Sequence, residues 1–322
     1  MSQELHVLLV GAGGLGYSCA FALASAAVSQ LSAPLSITVI DGDTVEASNL
    51  NRQLMFSPLD IGNNKAECLC SALNLEFTAT GGRIRFKPNA ERLTNSNATD
   101  FIANADLIID CTDSVQTKLL LNDLAVSEDL PFVYGGAIAQ EGIALLRPKV
   151  GAPCLRCLFG EFEADDLAIY GANCSRAGIL GPVAGMVGIL QAELALLYLL
   201  DPRNASAVLY RVSGERPSAR SVQPPADPNC PIGCSSVVRS RLDLSAERCP
   251  MTFLYTKLAL EELGAGATLE VQLHDIATAT SVCNAVAEAG YEVRRQPSLH
   301  PAGYWRLVVA VPKHLGPEEL PE

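Results

Sequence analysis

Gly11-Ala12-Gly13-Gly14-Leu15-Gly16 is the stretch that decides the fold. The apolar run Leu5-His6-Val7-Leu8-Leu9-Val10 before it has the length of a short buried strand, and Tyr17 to Ala27 after it is rich in alanine at helical spacing. The glycines therefore fall on a strand-to-helix turn. There the backbone can pass close to phosphate, and the helix amino terminus adds unpaired N–H groups and a partial positive charge. A second strand, Ser36 to Ile40, ends at Asp41, a position from which a carboxylate accepts from ribose hydroxyls. These features fit NAD, FAD and ATP alike.

The segment Asn49-Leu50-Asn51-Arg52-Gln53, with Lys65 beyond it, separates those ligands. A dehydrogenase needs no cluster of cations at its cofactor phosphates beyond the helix end. Adenylation must neutralise charge building on the α-phosphate and on departing pyrophosphate, and Arg52 and Lys65 supply cations for it. Further on, Leu107-Ile108-Ile109-Asp110-Cys111-Thr112-Asp113 closes a buried strand with carboxylates, the usual place for a magnesium ligand or an in-line positioning group.

In order and spacing, Gly11 to Gly16, Asp41, the Asn49/Arg52/Gln53 cluster, Lys65 and Cys111-Thr112-Asp113 resemble the ThiF/MoeB/HesA family, relatives of ubiquitin-activating enzymes. The resemblance implies a Rossmann-like α/β ATP-binding fold. It also implies ATP-dependent adenylation of the carboxyl terminus of a small ubiquitin-like protein, usually a sulfur carrier ending in two glycines. On that reading Gly11, Gly13, Gly14 and Gly16 cradle the nucleotide and Asp41 holds ribose. Asn49, Arg52, Gln53 and Lys65 hold the triphosphate, and Asp113 holds Mg2+. Ser114 stands where the family often has asparagine. A homodimer is expected as well.

With 322 residues the chain is too long for one average domain and suits a large α/β unit plus a small one. A net charge of −12 argues against nucleic acid as the main partner. The amino terminus enters a strand without a basic region or a small-residue cleavage site, so a cytoplasmic protein is expected. Gly178 to Leu200 is apolar enough to resemble a membrane span and contains the small pair Gly181/Gly185. Pro182, Gln191 and Glu193 favour a buried helix, at a subunit interface in one reading.

Eleven cysteines without secretory context point to metal or sulfur chemistry rather than a disulfide framework. Cys154-Leu155-Arg156-Cys157 and Cys230-Pro231-Ile232-Gly233-Cys234 flank the long apolar helix. Two thiolate pairs of this kind match a tetrahedral Zn2+ site that staples loops and does no chemistry. The family commonly has this pair of pairs, its second as CxxC where this chain has CxxxC. Cys174, within Ala172 to Pro182, resembles the crossover-loop cysteine of the ThiF/MoeB proteins. The resemblance implies a catalytic or sulfur-relay thiol; an isolated cysteine would otherwise read as a small buried hydrophobe.

Between Ser213 and Pro231 the composition shifts to Gly, Pro, Ser and Arg, which divides the chain into residues 1–236 and 237–322. The second part reads as a βαβαββ sandwich. A short strand at Arg241 to Leu244 leads to a helix from Cys249-Pro250 through Glu262; a strand over Ala267 to His274 and a helix over Thr278 to Ala289 follow, with a strand over Tyr304 to Val311. Leu242-Asp243, Arg248-Cys249-Pro250, Lys257, Gly264/Gly266 and His274-Asp275 resemble the TusA/SirA sulfur carriers nearly end to end. Cys249 would then carry the persulfide. Pro250 suits the first helical position, so Cys249 falls at the cap, where the dipole favours thiolate.

An activator of carboxylates joined to a carrier of sulfane sulfur points to one reaction. The acyl-adenylate is attacked by a Cys249 persulfide loaded by a desulfurase or sulfurtransferase, with Cys174 as a relay, and a thiocarboxylate results. Two other classes fit the residues less fully. One is an adenylating enzyme acting on a peptide, tRNA base or small acid without sulfur, and the other a non-catalytic scaffold that binds a ubiquitin-like partner.

Overall fold

The computed structural model describes residues 3–51, 53, 55–148, 151–160, 178–215, 218–227, 230, 232, 234, 239–247, 251–263, 267–297 and 305–312. They form two compact units, Met1–Cys234 and Ser235–Glu322.

The first unit is built around the glycine turn. Strand β1 (Leu5–Val10) is the innermost of a parallel set, with β2 (Leu35–Ile40) and β3 (Ile84–Asn89) on one side and β4 (Leu107–Asp110) and β5 (Phe132–Ile138) on the other. β1, β2 and β4 are largely buried on both faces, which is why they read as continuous apolar stretches, whereas β3 at the edge alternates, with Ile84 and Phe86 buried and Arg85 and Lys87 exposed. Beyond β5 the sheet turns antiparallel through β6 (Glu141–Arg147), β7 (Val208–Ser213) and β8 (Ser218–Val222), giving the order β3-β2-β1-β4-β5-β6-β7-β8. The Gly/Pro/Ser/Arg stretch read above as a divider thus contains part of this sheet. Strand β8 is exposed along its length, so it has no buried face to impose an alternating pattern.

Helix α1 (Gly14–Gln30) starts inside the glycine run, and α2 (Lys65–Glu76), α3 (Ala98–Ile102), α4 (Val115–Ser127) and α5 (Leu155–Phe159) follow. The apolar segment forms α6 (Gly181–Leu200), a helix long and apolar enough to cross a membrane, which packs on α1 with Val183, Val187, Leu194 and Ala195 in the core. The small residue that brings it closest onto α1 is Gly188, set against Leu15, Ser18 and Cys19, with Gly185 in ordinary contact with Ser18. Gln191 is fully buried, where it donates to the Asp110 carbonyl at 2.7 Å and accepts from the Cys111 thiol.

The second unit has the order β9 (Arg239–Asp243), α7 (Met251–Glu261), β10 (Thr268–Leu273), α8 (Ile276–Glu288), β11 (Glu292–Pro297) and β12 (Trp305–Ala310). This is a βαβαββ unit with sheet order β11-β12-β10-β9. Asp275 caps α8 by accepting from the Thr278 amide at 2.7 Å. Leu269, Val271, Leu273, Val282, Leu307 and Val309 fill the space between helices and sheet.

Candidate functional site

Gly11 has φ of +98°, and a Cβ there would stand 2.7 Å from the Cys111 carbonyl oxygen; one at Gly16 would stand 1.9 Å from the Gly11 oxygen. Only glycine fits either place, so the fingerprint follows from how closely the turn approaches β4 and α1. Gly13 caps α1 with no side-chain hydrogen bond, and no acidic residue occupies the first turn. Gly14 opens the helix. Its first amides therefore remain available to a phosphate, the arrangement expected of a nucleotide turn.

Asp41, at the end of β2, accepts from the Ala12 amide at 2.7 Å and the Asp43 amide at 2.8 Å. It fastens the turn to the neighbouring strand, and each carboxylate oxygen keeps a lone pair for a sugar hydroxyl. Burial pushes its pKa above the ordinary carboxylate range, partly offset by those two amides and by Lys65. Lys65 opens α2, where Asn64 caps the helix by accepting from the Glu67 amide. Its ammonium lies 3.3 Å from Asp43 Oδ2, on the same side of the turn as Asp41.

Asn49 and Gln53 are buried side chains. Asn49 Oδ1 accepts from the Glu46 amide as part of a capping box, whereas Gln53 reaches the glycine turn and its buried Oε1 has no partner among the described residues. The end nearest Gly13 is Nε2, a donor that a phosphate at the turn could accept from, whereas Oε1 can bond only a donor such as a sugar hydroxyl. Asp113 is exposed just before Ser114, which caps α4 by accepting from the Thr117 amide. Arg52, Cys174 and Cys249 lie outside the described residues.

Sequence reasoning passed over Lys118. From α4 it donates to Asp110 Oδ2 at 3.1 Å and to the Gly135 carbonyl at 2.6 Å, with its ammonium 4.7 Å from the Tyr134 ring centre. Burial disfavours this ammonium, yet Asp110 and Tyr134 more than offset it and its pKa is raised. Asp110 Oδ1 in turn accepts from the Thr112 amide and hydroxyl. The pair thus fixes the loop that presents Asp113. A lysine one turn into the helix after a carboxylate-ended strand was the available signal.

The two cysteine pairs converge. The sulfurs of Cys154, Cys157, Cys230 and Cys234 all lie within 4.8 Å of one another, with Cys154 3.9 Å from Cys157 and 3.6 Å from Cys230, and Cys157 3.0 Å from Cys234. Tetrahedral thiolate ligation implies about 3.8 Å between sulfurs, so the donor set fits zinc, and the CxxxC spacing is no obstacle. Hydrogen bonds from Cys154 and Cys234 pull the Cys230 pKa down, while the bond to Cys230 pushes Cys154 up to about 12. One thiolate, on Cys230, is thus favoured by its neighbours' S–H groups, whereas Cys154 and Cys234 are held protonated, and a bound cation is what would let all four ionise together.

Geometry of this kind defines a class: a Rossmann-like nucleotide-binding α/β unit with an antiparallel extension and a four-cysteine cluster that fits a metal ion. Residues 2–232 match the family model described as "ThiF family", and the chain belongs to that family. Residues 240–311 match "Sulfurtransferase TusA". The "SAMP-activating enzyme E1" of Haloferax volcanii is 32% identical over 77% of this chain and 87% of its own length. "Adenylyltransferase and sulfurtransferase uba4" of Emericella nidulans is 36% identical over 61% of this chain, and "Adenylyltransferase and sulfurtransferase MOCS3" of Anopheles gambiae 33% over 72%. The matches span only 40% and 50% of those two proteins' own lengths. Among solved structures, E. coli MccB with ATP is similar in fold, with a TM-score of 0.55, 20% identity, and coverage of 71% of this chain and 67% of that one.

Proposed function

We propose that this chain uses ATP to adenylate the carboxyl terminus of a ubiquitin-like sulfur-carrier protein ending in two glycines, and then delivers sulfur to it from a Cys249 persulfide. The observation that carries the reading is the union, in one chain, of a ThiF-family unit and a TusA-matching unit.

In the first step a carboxylate oxygen attacks the α-phosphorus and pyrophosphate leaves. The α1 amides would receive the phosphates, Asp41 the ribose, and Gln53, Arg52 and Lys65 the charge that grows on the leaving group. Asn49 caps the segment that carries Arg52 and Gln53 and so acts by positioning them. Asp113 would hold Mg2+, whose chemistry there is charge neutralisation. In the second step the terminal sulfur of the Cys249 persulfide attacks the acyl carbon and AMP leaves, which gives an acyl disulfide. A thiol then attacks the Cys249 sulfur and releases the thiocarboxylate. Cys174 is the internal candidate for that thiol, and the disulfide it forms with Cys249 is reduced by an external dithiol. A desulfurase or sulfurtransferase restores the persulfide. A reducing, cytoplasmic setting suits this cycle.

The expected homodimer has a candidate surface in Phe21 and Val28 of α1 and Ile189, Leu197 and Leu200 of α6, all apolar and exposed. A single-chain mass by light scattering would refute the dimer. For the reaction, ATP–pyrophosphate exchange should depend on an added carrier protein ending in two glycines, and the carrier's intact mass should shift to the thiocarboxylate when a desulfurase and cysteine are supplied. Exchange absent with every such carrier would refute the adenylation.

A further inference from the structure

The Asp41-Gly42-Asp43 turn carries one carboxylate more than a ribose needs. Asp43 Oδ2 faces Lys65 Nζ at 3.3 Å, and the Lys65 amide donates to the Asp43 carbonyl at 2.9 Å. As it stands, the cation assigned to the phosphates is held by a neighbouring anion. When Lys65 turns to a triphosphate, Asp43 is left as a bare negative charge beside an incoming polyanion. The other Asp43 oxygen, Oδ1, is ion-paired with the Arg92 guanidinium.

Arg92 is placed there by backbone rather than by chance of a long side chain. Gly42 has no room for a Cβ, which would stand 2.5 Å from Arg92 Cγ and 2.8 Å from Arg92 N. The Asn97 side chain donates to the Arg92 carbonyl at 2.9 Å, and the Asp41 amide donates to the Asn89 carbonyl at 3.1 Å. Segment 89–97 is thereby clamped onto the turn. The Arg92 side chain remains 76% exposed, whereas that of Lys65 is 12% exposed, so Lys65 faces inward and Arg92 stays on the rim.

We infer that Arg92 is a positioning residue for ATP: it keeps Asp43 neutralised and so frees Lys65 to bind the phosphate chain. This rests on Lys65 serving the phosphates, as proposed above. Two cations share one carboxylate, and only one of them is needed to hold it.

The test is equilibrium binding of ATP and of adenosine to the full-length protein, without a carrier. Arg92→Ala should weaken ATP about threefold to tenfold, the range of one partly screened surface charge, and leave adenosine binding as it was. Arg92→Lys should recover most of the loss. Adding Asp43→Asn to Arg92→Ala should bring ATP affinity back to within about twofold of wild type, since the charge that needed neutralising is gone. Unchanged ATP affinity in Arg92→Ala overturns the inference. So does failure of Asp43→Asn to restore it, or an equal loss for adenosine, because Arg92 would then act through packing on Gly42. Wild-type protein that binds no ATP would overturn the proposed function as well.

Discussion

Replacing Lys118 with methionine should destabilise the first unit by about 3–5 kcal/mol, the usual cost of removing one partner from a buried ion pair. The Asp110 side chain is wholly buried, and its Oδ2 relies on Lys118. The two bonds from Thr112 go to Oδ1 and remain, which places the expected loss toward the lower end of that range. The Gly135 carbonyl loses its donor at the same time. Methionine keeps the volume, so the loss reports charge and hydrogen bonding rather than a cavity. The single tryptophan, Trp305, packs against the core of the second unit and provides an internal control. In urea, the far-UV circular dichroism transition should move to lower denaturant while the Trp305 fluorescence transition stays in place. Because the Lys118 pKa is raised in the folded state, its contribution is complete below the unfolded value of about 10.4 and is lost only as pH rises through the higher folded value. The deficit of the variant should therefore be flat from about pH 7 to 9. Asp110→Asn added to Lys118→Met removes the orphaned charge and should recover about half the loss. A dichroism midpoint unchanged in Lys118→Met would refute the reasoning.

Lys65→Ala and Arg52→Ala should each slow carrier-dependent pyrophosphate exchange by roughly two to three decades, as removal of a transition-state charge donor does; near-normal exchange in both would remove the phosphate assignment. Freshly purified protein should contain about one zinc per chain, and chelation should lower its melting temperature; metal analysis that finds none would exclude the four-cysteine centre. Cys249→Ser should retain adenylation yet form no thiocarboxylate when sulfur arrives through a desulfurase, with free sulfide restoring the product. Wild-type protein without a reducible sulfur adduct on Cys249, after treatment with a desulfurase active on a control carrier, would defeat the relay.

How much of this was legible in the sequence depended on how local the cause is. Gly11 and Gly16 are required by steric approach within a few residues of the turn, so the fingerprint shows in the sequence and α1 starts where it implies. The cysteine pairs were readable because ligand spacing survives without regard to the fold around it. The antiparallel half of the sheet was not, since β5 carries Gly135 and Gly136 and β8 is exposed throughout, which leaves neither period to find. The pairing of Asp110 with Lys118 escaped for a different reason, although both residues stood in view. Their meeting depends on α4 folding back over the ends of β4 and β5, so the lysine's place one turn into the helix is a signal only once that packing is known. Gln191 was read only as a mark against a membrane span, whereas its amide ties α6 to the end of β4.

A four-cysteine cluster suited to a metal that does no chemistry gains a purpose from what α4 holds at its two ends. Its amino-terminal end follows Asp113 directly, and Lys118 within it fixes Asp110. Further along, Asn122 accepts from the Leu155 amide at 2.8 Å, and Asp123 takes both guanidinium nitrogens of Arg156 at 2.8 and 2.6 Å. Val126 then packs directly on Cys154, Cys230 and Cys234. The thirteen residues of α4 span about 20 Å, so one helix bridges the carboxylate end of the nucleotide site and the cysteine loops. The loop that carries Cys154 and Cys157 has little hydrophobic burial of its own, because Leu155 is the sole fully buried residue of α5. Cross-linking the loops through four thiolates on a bound metal would supply the anchor, and would brace α4 along the half of its length that the Asp110–Lys118 pair does not reach.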